Sequence, residues 1–232
     1  MRLRVIDIET TGGSAQEIIE IGAVDVNALG GVWTANLPRT KLFRPRGEIT
    51  PHAMAIHHLT ASDFSETDPF CSDPALHAFI TASPQPDVLV AHNAAFERQH
   101  LGTTATSDLP WICTVKAARE AWPEAPGYSN QLLRYWRGLI LDPALAMPPH
   151  RAGPDAWVTA HLLIDLLHSA TVGDLKAWSL TQRPSDRVPL GRYKGQAWSK
   201  PPARYLQWLI DAPEMGDDVV ARARAELQVR QA

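Results

Sequence analysis

Acidic and imidazole side chains recur at three places in this chain where local backbone geometry would hold them still. The first is Asp7-Ile8-Glu9, followed by Thr10-Thr11-Gly12-Gly13. Ile6 and Ile8 favour extended backbone, and the Thr-Thr-Gly-Gly run favours a turn. Residues two apart on a strand share a face, so Asp7 and Glu9 project together, about 7 Å apart along it. Two carboxylates side by side on an otherwise apolar strand repel one another and lose hydration; a divalent cation held by hard oxygen ligands would offset that penalty. An edge strand with one solvated face would also carry Asp-x-Glu. The pair gains weight only from what lies downstream.

The second group is His92-Asn93-Ala94-Ala95-Phe96-Glu97. It follows Val88-Leu89-Val90-Ala91, a continuous apolar run of the kind buried on both faces of a sheet, and Asn93 can cap a helix from Ala94 to Leu101. Glu97 falls about one turn into that helix and could reach back to the sheet edge, although a surface Glu in a first turn is also favoured by the helix dipole. The third group is His150-Arg151-Ala152-Gly153-Pro154-Asp155. Residues five apart in a regular helix differ by about 140°, so His150 and Asp155 converge only if the helix begins near Gly153-Pro154 and His150 folds back from the approach loop. A surface His beside a helix-capping Asp is the alternative.

The elements that must hold these groups read as an α/β domain with a mixed sheet flanked by helices. The stretch carrying Asp7 and Glu9 forms a first strand, residues 17–27 a second, Ala28-Leu29-Gly30-Gly31 a hairpin turn, and residues 32–44 a third strand, interrupted or lengthened around Leu37-Pro38-Arg39-Thr40. A short helix begins at Pro51. A helix over 73–82, the strand at 88–91, a strand at Trp111-Ile112-Cys113 and a helix capped by Thr114 follow. Further helices span about 129–137 and 155–168, the last with a broad apolar face. Residues 1–182 make the main domain. Residues 183–232 make a small module whose first part carries Arg183, Arg187, Arg192, Lys194, Lys200 and Arg204 against Asp186.

Composition narrows the class further. The 232 residues carry a formal net charge of −3, so global electrostatics announce no nucleic-acid binder, although a local basic patch can hide in the total. No apolar run reaches bilayer length and no signal-peptide pattern opens the chain, so no membrane association is expected. Cys71 and Cys113 match no zinc spacing and read as reduced thiols of a cytoplasmic protein.

In order and spacing, Asp7-Ile8-Glu9-Thr10-Thr11-Gly12, Ala91-His92-Asn93-Ala94-Ala95-Phe96-Glu97 and His150-x-Ala152-x-x-Asp155 resemble the three motifs of the DEDD 3′–5′ exonucleases, in the subtype with a catalytic histidine. The resemblance implies an RNase H-like fold with a mixed five-stranded sheet. It also implies hydrolysis of the 3′-terminal phosphodiester with two divalent ions, Mg²⁺ or Mn²⁺, about 3.5–4 Å apart. On this reading Asp7, Glu9, Glu97 and Asp155 hold metal, with Asp7 bridging both ions. His150 takes the proton of the attacking water, a role suited to an imidazole. Thr10, Thr11, His57, Asn93 and Phe96 grip the last nucleotide, His57 lying in Ala53-Met54-Ala55-Ile56-His57-His58-Leu59-Thr60, which fits the family's loop over the terminal nucleotide. One departure stands out: the family ends its second motif with Asp where this chain has Glu97, one methylene longer.

The resemblance makes DNA 3′ ends, single-stranded or duplex, the expected substrate, with DNA repair as the setting. Likeness in the C-terminal module, Gly191-Arg192-Tyr193-Lys194-Gly195 and Tyr205-Leu206-Gln207-Trp208-Leu209, is what favours DNA over RNA. In that module Arg192 and Lys194 are candidate phosphate contacts, while Tyr205, Leu206, Trp208 and Leu209 would form a small core. An RNA 3′-end trimmer is the rival within the enzyme class, because the 2′-hydroxyl is sensed by pocket geometry. A silent nucleic-acid-binding module, resting on Glu97, is the rival outside it. A small-nucleotide phosphodiesterase is disfavoured by the basic C-terminal module. The oligomeric state is left open.

Overall fold

A computed structural model of the chain describes residues 1–13, 16–181, 187–212 and 217–231. The chain divides into two compact units, Met1–Leu180 and Thr181–Ala232. The first is built on a mixed sheet in the order β3-β2-β1-β5-β6, with β4 also paired to β2. The strands are β1 (Arg2–Thr10), β2 (Ile18–Leu29), β3 (Val32–Ala35), β4 (Arg39–Leu42), β5 (Val88–Ala91) and β6 (Trp111–Cys113). β1 runs antiparallel to β2 and parallel to β5, which is in turn parallel to β6.

Among the described residues the sheet has six strands where the resemblance implies five. The single segment expected over 32–44 splits in two: β3 pairs with the end of β2 and β4 with its beginning. Pro38 lies in the gap; its ring removes a ladder donor and fixes φ, so one strand cannot run through it.

Among the described residues of this unit the sheet is accompanied by α1 (Pro51–His57), α2 (Asp73–Ile80), α3 (Ala95–Thr106), α4 (Thr114–Ala121), α5 (Asn130–Trp136), α6 (Pro143–Ala146), α7 (Ala152–Leu166) and α8 (Val172–Leu180). Two expected caps fail. Asn93 takes a left-handed φ of 74° just before α3, whose N-cap is Ala94. Thr114 is the first residue of α4, and its hydroxyl is engaged with His92 instead. Helix α8 has no counterpart in the sequence reading; it anchors on Leu175, buried in the main core.

The alternation of β1 sorts its side chains into two layers. Leu3 and Val5 pack with Val24, Val90, Ile112 and the apolar face of α7, whereas Ile6 and Ile8 pack with Phe43, Leu76, Ile80 and Leu101. Asp7 and Glu9 continue the Leu3–Val5 face, so the α7 side of the strand turns from apolar to acidic toward its C-terminal end. Cys71 and Cys113 are unpaired, and no helix among the described residues is long and apolar enough to cross a membrane.

The second unit has its own core of Val188, Trp198, Leu206, Leu209, Val219 and Ala223. Helices α9 (Ala203–Asp211) and α10 (Asp217–Gln231) pack on a turn-rich segment closed by the Arg187–Ala197 bridge. Leu206 and Leu209 are buried as expected, but Trp208 is 46% exposed and leans on Tyr205. Arg230 fastens α10 to the segment through the carbonyls of Trp198 and Pro201. Arg183 and Asp186 lie outside the described residues.

Candidate active site

Asp7 and Glu9 sit opposite Gly22 and Glu20 on β2. Gly22 is what admits the N-terminus of α7: a Cβ there would lie 2.1 Å from the carbonyl oxygen of Ala152 and 2.6 Å from the Gly153 nitrogen. Gly153 is tight on its other side, where an added Cβ would meet Cγ2 of Thr40 at 2.6 Å. Helix and sheet therefore approach within backbone contact, and Asp155, in the first turn of α7, swings over β1. Carboxylate oxygens of Asp7, Glu9 and Asp155 fall within 4.8 Å of one another.

His150 occupies a left-handed φ of 59°, and its backbone N–H donates to Asp155 Oδ2 at 2.9 Å. That reversal is the fold-back that brings His150 beside Asp155. The loop is clamped from β2: Arg151 donates through Nε (3.0 Å) and Nη2 (2.7 Å) to Glu20, which also accepts the Ala152 N–H at 2.9 Å. Glu97, in the first turn of α3, is only 3% exposed. Its Oε2, like Oδ1 of Asp155, is buried without a hydrogen-bond partner. Asp7, Glu9, Asn93, Glu97, His150 and Asp155 line one cleft of about 290 Å³, and Phe96 borders it.

Burial disfavours the charged forms of all four carboxyls, and repulsion from neighbouring carboxylates adds to it at Asp7, Glu9 and Asp155. Asp7 is held well above the usual carboxylate range, first by burial and then by Asp155, Glu9, Glu97 and Glu20. Glu9 is pushed up to about 8 by burial and by Asp155 and Glu20, with Arg151 opposing. Burial alone pushes Glu97 up to about 8. Asp155 is raised by burial, with the hydrogen bond from His150 opposing. Three converging hard-oxygen ligands, a fourth carboxylate in the same cleft and two buried oxygens without a hydrogen-bond partner together fit a divalent-cation site.

The other predicted contacts are placed differently. Thr10, Thr11 and His57 are buried and are not among the described residues lining the cleft. The Thr11 hydroxyl accepts the Glu17 N–H at 3.0 Å. His57 Nδ1 accepts the Leu59 N–H at 2.9 Å, so Nε2 carries the proton it donates to the Thr10 carbonyl at 3.2 Å. Arg192 and Lys194 belong to the second unit, exposed beside Tyr193.

Sequence reasoning missed Glu20 and Arg151. The available signal was a lone Glu inside the apolar run Ile18-Ile19-Glu20-Ile21, which needs a buried partner. It also missed the role of His92, which bonds the Thr114 hydroxyl at 2.9 Å and the Tyr128 carbonyl at 2.8 Å. Burial lowers His92 to about 4, so it is a neutral tether. It fixes the approach to α5, where Asn130 donates to the Asp155 carbonyl at 3.2 Å and to Thr159 Oγ1 at 2.7 Å.

A mixed RNase H-like sheet whose first strand carries carboxylates that meet an Asp in the first turn of α7, with a histidine in the loop before that helix, defines a class of acidic-centre hydrolases. Within it the chain belongs to the exonuclease family, whose model, RNase_T, matches residues 5–163. It is 34% identical over 218 residues to exodeoxyribonuclease 10 of Escherichia coli (strain K12), covering 90% of each chain. Among solved structures it resembles exonuclease X in complex with 5′ overhanging duplex DNA, with a TM-score of 0.62 and 34% identity over 76% of this chain and 99% of the other. It shares its fold with the nuclease domain of 3′hExo, a DEDDh family member bound to rAMP, at a TM-score of 0.52 and 16% identity over 73% and 92% of the two chains.

Proposed function

We propose that this chain is a metal-dependent 3′–5′ exodeoxyribonuclease that releases 5′-mononucleotides from DNA 3′ ends. The observation that carries the reading is the convergence of Asp7, Glu9 and Asp155 within 4.8 Å, with Glu97 and His150 in the same cleft. Asp7, Glu9, Glu97 and Asp155 would hold two divalent cations, Mg²⁺ or Mn²⁺, whose chemistry when bound is Lewis-acid assistance to the attacking water and the departing 3′ oxygen. His150, exposed at the cleft rim, accepts the proton of that water on its ring. Asn93 and Phe96 hold the terminal nucleotide from the α3 side. Thr10, Thr11 and His57 act from behind, His57 by fixing the Thr10 carbonyl at the end of β1. DNA as substrate rests on the names of the relatives at 34% identity, and a part in DNA repair on the same likeness. Residues 1–182 would then be the exonuclease domain and 183–232 a module that contacts nucleic acid through Arg192 and Lys194.

Digestion of 5′-labelled single-stranded DNA and its RNA counterpart, with Mg²⁺, Mn²⁺ or EDTA beside an Asp7→Ala control, tests this. A metal-dependent ladder shortening from the 3′ end of DNA, absent in the control, is the expected result. A ladder on RNA alone would make the chain an exoribonuclease. A second reading, a silent binding module, has Glu97 as its one observation. It requires Glu97→Asp to raise activity from nothing.

A further inference from the structure

A second cleft, of about 380 Å³, opens on the far side of Asn93, bordered by strand β6 and helices α3 and α8. Arg98, Lys116 and Lys176 line it against a single carboxylate, Asp108, and Trp111 contributes a half-buried ring. This basic cleft lies in a chain whose formal net charge is −3. Lys116 is tied to the Ser179 carbonyl at 3.0 Å, which joins α4 to α8 and fixes one wall. Among the described residues the side chains of Arg98 and Lys176 are exposed and have neither a hydrogen-bond nor an ion-pair partner. Two unengaged cations, a third held in place and an aromatic face make the combination that follows a sugar-phosphate backbone while stacking on bases. Asn93 lines both clefts, so a strand whose last nucleotide enters the acidic one can continue into the basic one.

We infer that the cleft lined by Arg98, Lys116, Lys176 and Trp111 is a single-strand nucleic-acid subsite that takes the nucleotides upstream of the 3′ end. The inference rests on the exonuclease reading for its direction of travel. It places phosphate contacts within the first unit, independently of Arg192 and Lys194. Its reach is polarity and length: a dinucleotide ends before the subsite, whereas a longer strand occupies it.

The test is the double variant Arg98→Ala/Lys176→Ala, with Arg98→Lys/Lys176→Arg as the charge-preserving control; Lys116 is left alone because it ties two helices. Equilibrium binding of a fluorescein-labelled long DNA strand is measured in EDTA across a salt series. The ratio of kcat/KM on the long strand to that on a dinucleotide is measured with Mg²⁺. Binding should weaken on the order of tenfold, with the slope of log K against log salt reduced by about 0.7 per lost phosphate contact. The kcat/KM ratio should fall by a similar factor, and the control should restore both. Unchanged binding and salt slope, or a kcat/KM ratio equal to the parent's, would overturn the subsite. If the parent digests neither substrate, the exonuclease reading fails by itself, and the salt series still decides whether this cleft binds a strand.

Discussion

Glu97 stands where the family pattern has Asp, and on the proposed reading the longer side chain takes that place. It starts from the first turn of α3 and reaches the cleft buried, with Oε2 free for a ligand. If Glu97 holds metal, Glu97→Asp should withdraw the carboxylate by about 1 Å and lower kcat by up to about 10²-fold. Glu97→Gln, which keeps length but removes charge, should lower kcat at least as far while leaving the melting temperature equal or higher. Steady-state kinetics beside thermal melts separate the two effects. Arg151 and Glu20 are the other pair to probe. Glu20 is 3% exposed, so Arg151→Met leaves a nearly buried carboxylate without its cation and should cost about 3 kcal/mol. The double variant Glu20→Gln/Arg151→Met should recover a good part of that loss. Urea denaturation of the four proteins of the cycle measures it; strict additivity would mean the pair is not coupled.

At the scale of elements, the site depends on how closely α7 meets the sheet. Gly22→Ala would drive a Cβ into the Ala152 carbonyl, which is backbone and cannot swing away. It should destabilise the protein by about 2 kcal/mol or more and abolish metal-dependent stabilisation, because Asp155 moves with the helix. Gly153→Ala instead meets a side-chain methyl, Cγ2 of Thr40. It should be harmful alone and largely rescued by Thr40→Ser, which removes that methyl. Denaturant midpoints of the single and double variants decide this. The helices were legible unevenly for the same reason. The helix at 155–168 was predicted from its apolar face, yet its true start at Ala152 is set by the Glu20 clamp and the two glycines, which lie far apart in sequence.

At the scale of the whole molecule, the carboxyl cluster sets how stability depends on pH. Glu9 and Glu97 have folded-state values of about 8, above their ordinary 4.5. The native state therefore binds more protons than the unfolded chain between those values. This contribution is fully present below about 4.5 and is lost as pH rises toward 8. The metal-free protein should melt lower at pH 8 than at pH 5, by about 2–4 °C for each kcal/mol lost. Mg²⁺ should raise the melting point more at pH 8 than at pH 5, since deprotonated ligands bind it better. Differential scanning calorimetry with and without EDTA reads both, and an Asp7→Asn protein should respond much less to either change. The two units also have cores that share no residue. A fragment ending at Leu180 should melt cooperatively and keep its response to Mg²⁺.

The sequence by itself placed three candidate groups and most of the frame, and the chemistry expected of them came from their resemblance, in order and spacing, to the DEDD exonuclease motifs. Asp-x-Glu on an apolar strand, an apolar run ending in His-Asn, and His and Asp around Gly153-Pro154 are local patterns, read from periodicity and turn chemistry. What only the tertiary structure decided is everything that depends on residues distant along the chain. Pro38 divides a strand because both halves pair with β2; Asn93 and Thr114 forgo capping because the turn after β5 and the His92 bond claim them. Thr10, Thr11 and His57 are buried, and His57 spends both ring nitrogens on backbone. Glu20 becomes the anchor of the His150 loop only when β2 and α7 meet, and Arg98 and Lys176 become one cleft only when α3 and α8 flank β6. Spacing along a chain fixes which face a side chain takes within its own element. Which distant side chains share that face is fixed only when elements pack.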